Sequence, residues 1–154
     1  FVVVSILNTR HQTPVAKRTV NPVYAAKDAT FDYPLYLSLA DKLGVVEFIV
    51  WDKDLMSKDY LGEVSLPLED WFVDRANGTD RAFAFDDSGN QPFSINLDST
   101  RANTHATGSV KVKLGFVSPN PAIPVDFHDV FSELVKRSRP SLVSAPPVLT
   151  FASC

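Results

Sequence analysis

Residues 50–62 read Val50-Trp51-Asp52-Lys53-Asp54-Leu55-Met56-Ser57-Lys58-Asp59-Tyr60-Leu61-Gly62, and this stretch decides the fold. Ahead of it Val46, Phe48 and Val50 fall on alternate positions, the period of two that gathers side chains on one face of a strand. From Leu61-Gly62 onward, LGEVSLPL opens a second strand. Three aspartates, Asp52, Asp54 and Asp59, crowd the loop between them. Asp52 and Asp54 stand at i and i+2, so a strand-like segment projects them to one side. Carboxylates held this close repel by about a few kcal/mol per pair at moderate effective dielectric. Either solvent or a hard cation such as calcium, which takes roughly six to eight oxygen ligands, shares such a site. A solvated turn whose aspartates merely bend the backbone fits the same letters.

Working outward, alternation predicts further strands at Phe1–Leu7, Val15–Val20, Thr30–Leu37, Val45–Trp51, Gly62–Leu68, Pro92–Leu97 and Ser109–Val117, with a short one at Ala82–Phe85. Phe31 and Tyr33 would share a strand face. Glu69-Asp70-Trp71-Phe72 reads as a helical turn with an aromatic anchor, and Asp86-Asp87-Ser88-Gly89-Asn90 as a turn by composition. Short strands separated by turn signals predict an all-β, two-sheet antiparallel sandwich. The 154 residues suffice for one sizeable core, and 45% hydrophobic content with 11 Phe suits a packed β protein.

Composition narrows the function classes. A net charge of −3 argues against nucleic acid, whose phosphates need clustered Lys and Arg. Any lipid binding must be local rather than driven by bulk charge. No apolar run approaches the roughly 20 residues that span a bilayer, and no signal peptide is visible. The single cysteine, Cys154, excludes an internal disulfide framework and fits a reducing, cytoplasmic compartment.

Upstream of the aspartate loop, Thr19-Val20-Asn21-Pro22-Val23-Tyr24 leads into an aromatic-rich stretch. With the loop, these blocks make the chain resemble a C2 domain, whose sequences run T-x-N-P-x-[WY], then an aromatic-rich strand, then D-x-D followed by D-[FY]-[LMI]-G. FVVVSIL at the start looks like the strand that follows an Asp-Pro step in that family. More narrowly, QTPVAKRTVNPVYAAKDATFDYPL, WDKDLMSKDYLGEVSLPLEDWF and GSVKVKLGFV are similar to the C2 domain attached to fungal phosphatidylserine decarboxylases. The likeness covers residues 1–117.

The resemblance implies a C2-type β-sandwich of permuted topology over residues 1–118, lacking one N-terminal strand and the aspartates of the first loop. It implies a calcium-dependent module, peripheral on a cytoplasmic membrane face, that tethers a lipid-modifying enzyme to anionic phospholipid. Asp52, Asp54 and Asp59 would be metal ligands, of a weak or incomplete calcium site. The loop is about one residue shorter than in many calcium-binding C2 domains, with the single Asp59 where they carry Asp-Asp or Asn-Asp. Leu55 and Met56 would enter the membrane interface and Lys58 would meet a headgroup; the competing reading folds the two apolar residues back on the sandwich. Arg10, Lys17 and Arg18 occupy the region where the family can carry a lipid-headgroup patch, although scattered cations are more often a solvated face. The alternative is a calcium-independent C2 scaffold that binds another protein, such as a phosphatidylserine decarboxylase catalytic domain, through the sandwich and the Phe127–Val135 helix.

That helix follows a connector, residues 119–125, stiffened by Pro119, Pro121 and Pro124. Residues 126–139 give one amphipathic helix with Asp126 at its N-cap and Phe127, Val130, Phe131, Leu134 and Val135 at helical spacing. Its apolar face would dock on a partner or membrane, or pack on its own sandwich. Residues 140–154 are Pro/Ser-rich and read as a disordered tail. Nothing supports catalysis. Thr107-Gly108-Ser109-Val110 lacks the residue that a self-cleaving Gly-Ser-Thr or Gly-Ser-Ser step requires, and His11, His105 and His128 lack metal-ligand spacing. Asn77-Gly78-Thr79 reads more simply as a turn than as a glycosylation site.

Overall fold

The alternation on either side of the aspartate loop becomes one long antiparallel hairpin, β3 (Val45–Lys53) and β4 (Lys58–Pro67). The computed structural model describes residues 1–35, 44–74, 79–80, 83–99 and 105–138. Before the hairpin come β1 (Val2–Ile6) and β2 (Thr9–Gln12), and the four strands order as β2-β1-β3-β4, all antiparallel. After it come α2 (Leu68–Phe72, following the short α1, Ala26–Ala29), the strand pair β5 (Val73–Asp74) and β6 (Thr79–Asp80), the ribbon β7 (Phe93–Asn96) and β8 (Ser109–Val112), and α3 (Phe127–Ser138). The result is an antiparallel β-sandwich with a C-terminal helix. The outer edge of β4 is not bare: Glu63 and Asp98 exchange both backbone hydrogen bonds, which ties the β7 region to the larger sheet.

One face of the four-stranded sheet makes the core. Val46 and Phe48 are 0% and 3% exposed and cluster with Val64, Leu68, Trp71, Phe72, Phe131 and Leu134. Helix α3 therefore spends its apolar face on its own sandwich. Phe131 packs its ring 5.4 Å from Phe72 and 5.0 Å from Phe83, and Phe127 stacks on Phe116 at 5.8 Å. The Asp126 carboxylate accepts the N–H groups of His128 and Asp129, the cap expected of it.

Among the described residues, two predicted strands are absent. Val15–Val20 is irregular, and the edge strand forms earlier, at Thr9–Gln12, across a two-residue turn at Leu7-Asn8. Pro14 carries no N–H to continue a ladder, and Arg18 sits at φ 56°, outside extended backbone. Residues 30–35 are also irregular, with Pro34 interrupting them; Tyr36 and Leu37 lie outside the described residues. Phe31 and Tyr33 still share a neighbour, since both rings pack on His11 at 5.3 and 5.1 Å. The Tyr33 hydroxyl donates to the Val4 carbonyl, and burial pushes its pKa up to about 12. Its support for the fold is thus complete below pH about 10 and fades as the pH climbs toward 12.

The predicted strand Ser109–Val117 stops at Val112, and beyond it Phe116 makes a lone parallel bridge to Ala84, all that remains of the Ala82–Phe85 strand among the described residues. Asn90, buried in the Asp86–Asn90 turn, donates to the carbonyls of Ala84 and Leu114 and holds these segments together. Asn77, Gly78, Arg139 and the tail from Pro140 lie outside the described residues.

Candidate functional site

Strand pairing sorts the hairpin tip by charge. Past Val50, paired with Gly62, the register slips so that Trp51 faces Tyr60 and Leu61 is left as a bulge. Asp52 then lies directly opposite Asp59, and Lys53 opposite Lys58. Because successive side chains alternate, the two carboxylates take the core side of the ribbon and the two ammoniums the other. Trp51 and Tyr60 share the lysine side, ring to ring at 5.8 Å, with the Lys58 ammonium 4.5 Å over the Trp51 ring. Gly62 sets the bulge against the body: a Cβ there would stand 2.9 Å from the Ala106 Cβ and 3.1 Å from that of Leu97.

The strand ends at Lys53, so the i, i+2 expectation that pairs Asp54 with Asp52 stops there. Asp54 instead opens a tight turn in which its N–H donates to the Ser57 carbonyl at 2.9 Å. Leu55 and Met56 are the two corner residues and are 102% and 96% exposed. They do not fold back on the sandwich. The start of β1 lies beside the same tip: Phe1 and Trp51 exchange backbone hydrogen bonds.

The remaining sequence candidates are spread out. Arg10 is exposed on β2 opposite Ser5, in the half of the sheet far from the tip. Lys17 and Arg18 are exposed beyond the end of β2, in the irregular segment. No shared sheet face joins the three, because the strand expected to carry Lys17 and Arg18 does not form.

Sequence reasoning passed over one cluster. Asp126, His128 and Asp129 bring ligand atoms within 4.8 Å of one another and could hold a metal ion; among the described residues, Asp52, Asp54 and Asp59 do not form such a group. All three residues of the cluster are exposed, and the Asp126 carboxylate already caps α3. Its signal was the D-x-H-D spacing at a helix start, which capping explains without an ion. His11 is engaged by aromatic rings, and His105 lies exposed in a loop. No helix of the described residues is long and apolar enough to cross a membrane.

The family model described as C2 domain matches residues 1–84, a span that holds the hairpin and its tip. Comparison with curated proteins and with solved structures finds no match.

Proposed function

The chain belongs to the C2 domain family, and from that premise we propose that it is a non-catalytic, calcium-dependent phospholipid-binding module acting through the β3–β4 tip. C2 domains commonly bind phospholipid membranes, and the tip carries the chemistry for it. The observation that carries the reading is the exposure of Leu55 and Met56 at the corners of a turn whose flanks hold Asp52, Asp54, Asp59, Lys53 and Lys58. Two adjacent apolar side chains held fully in water gain on the order of a few kcal/mol by entering an acyl interface. Lys58, whose ammonium lies over the Trp51 ring, would meet a lipid phosphate once the tip docks.

Carboxylate oxygens are the donors a hard cation takes, and an ion here would have to draw together three side chains that do not converge as they stand. Asp52, Asp54 and Asp59 would hold calcium, whose charge offsets theirs and offers a bridge to an anionic phosphate. With three side chains the affinity falls toward the weak end of the calcium range. The motif likeness supports a tether for a phosphatidylserine decarboxylase-like enzyme at a cytoplasmic membrane face, with phosphatidylserine as the headgroup.

The test is co-sedimentation with phosphatidylserine vesicles in calcium and in chelator. Asp52→Asn with Asp54→Asn should abolish the calcium-stimulated part. Equal binding by both proteins in both buffers overturns the calcium mechanism. That Asp52, Asp54 and Asp59 do not form a metal-holding group favours a second reading, a calcium-independent C2 scaffold for another protein. That reading no longer has the apolar face of α3 to offer, since the sandwich covers it.

A further inference from the structure

We propose that Met56 is an oxidation switch: a hydroperoxide converts its thioether to the sulfoxide, and the β3–β4 tip then releases the membrane. The proposal rests on the membrane-binding reading above and adds a modification site and its chemistry to it. Composition supplies the first observation. Met56 is the single methionine of the chain, so thioether oxidation has one address. Its side chain is 96% exposed, whereas a methionine ordinarily fills gaps in a core. Its neighbour Leu55 is 102% exposed, so the sulfur belongs to the apolar pair on which insertion depends.

The step balances with peroxide alone. A lone pair on the Met56 sulfur attacks one oxygen of the hydroperoxide, and the S–O bond forms as the O–O bond breaks. Sulfur gives up two electrons, the peroxide takes them, and water leaves when the oxidant is hydrogen peroxide. The product is a polar, chiral sulfoxide in place of a flexible apolar chain. A methionine sulfoxide reductase reverses the change, drawing two electrons from a dithiol and releasing water.

Position decides what the new oxygen disturbs. In a core it would break packing, but almost nothing packs on this side chain. The turn that carries it is closed by the backbone, through the Asp54 N–H and the Ser57 carbonyl at 2.9 Å, and does not use the sulfur. The free protein therefore keeps its fold and its stability. In an acyl interface the sulfoxide oxygen would leave its water behind with no donor to replace it, which disfavours burial. Oxidation thus acts on the docked state and spares the free one, as a switch requires and general damage does not.

The test uses the full chain with Cys154→Ser, which removes the competing thiol, with and without Met56→Leu. Each protein is treated with hydrogen peroxide and titrated with phosphatidylserine vesicles in calcium. Peptide mass spectrometry should place one added oxygen on Met56. Vesicle affinity should fall by about tenfold while the thermal melt stays where it was. Reductases for both sulfoxide epimers, supplied with dithiothreitol, should restore binding. The Met56→Leu protein, judged against its own untreated sample, should not respond to peroxide. Oxidation of Met56 with vesicle binding unchanged overturns the switch, makes the residue a scavenger, and leaves the proposed function standing. An equal loss in the Met56→Leu protein, or a melt lowered along with the affinity, overturns it as damage elsewhere. Untreated protein that fails to bind the vesicles overturns the proposed function, and the switch with it.

Discussion

The β3–β4 hairpin holds apolar residues at both of its ends, and they meet opposite fates. At the base Val46 and Phe48 disappear into a cluster with Trp71, Phe72, Phe131 and Leu134. At the tip Leu55 and Met56 touch almost nothing. Side-chain chemistry does not separate the pairs; position on the ribbon does. The base lies under α2 and α3, whereas the tip extends past the region that the helices and the β7–β8 ribbon cover. Base residues should therefore govern stability and tip residues binding, and the two effects should come apart on substitution.

The largest expected effect is at the base. Phe48→Ala empties a side chain that is 3% exposed, and should cost about 3–5 kcal/mol in urea unfolding. Leu55→Ser with Met56→Ser should stay within about 0.5 kcal/mol of the parent in the same measurement, while vesicle binding falls. A tip variant as unstable as the base variant would break the contrast. At the waist between them, Gly62→Ala forces a methyl against Ala106 and Leu97 and should cost about 1–3 kcal/mol. Loss of that size with the midpoint of vesicle binding unchanged would mean that the bulge supports the body and not the tip.

The hairpin was legible because its period of two runs unbroken through Val46, Phe48 and Val50 and resumes at Val64 and Leu66. Periodicity, turn letters and burial agree there, so the local signal equals the tertiary outcome. The Val15–Val20 segment shows the opposite case. Its letters alternate well enough for a strand, but pairing is a property of two chains, and Pro14 and the left-handed Arg18 deny the ladder its partner. From Lys17 to Val20 the side chains then face water, which no alternation count foretells. Helix α3 was legible as an amphipathic helix but not in its destination. Its stripe records that Phe131 and Leu134 are covered, and only the rings of Phe72 and Phe83 say by what. At the tip, sequence anticipated the exposure of Leu55 and Met56 and the position of the three aspartates beside them. It missed that Asp52 faces Asp59, because register depends on the Leu61 bulge.

That register yields the smallest predicted effect and the sharpest one for function. Like charges directly opposite in an antiparallel pair destabilise it, so Asp52→Asn should raise stability by about 0.2–1 kcal/mol in chelator. Calcium should reverse the order. An ion held by the native trio stabilises the folded chain in proportion to its occupancy, and the variant has lost that linkage. The measurement is a pair of thermal melts of each protein, in chelator and in millimolar calcium. If the variant melts higher in both buffers, the carboxylates repel without ever sharing an ion, and the tip binds membranes by Leu55, Met56 and the lysines alone. If it melts lower in both, Asp52 supports the fold in some other way, and the separation of a stabilising base from a functional tip fails at the residue where the two meet.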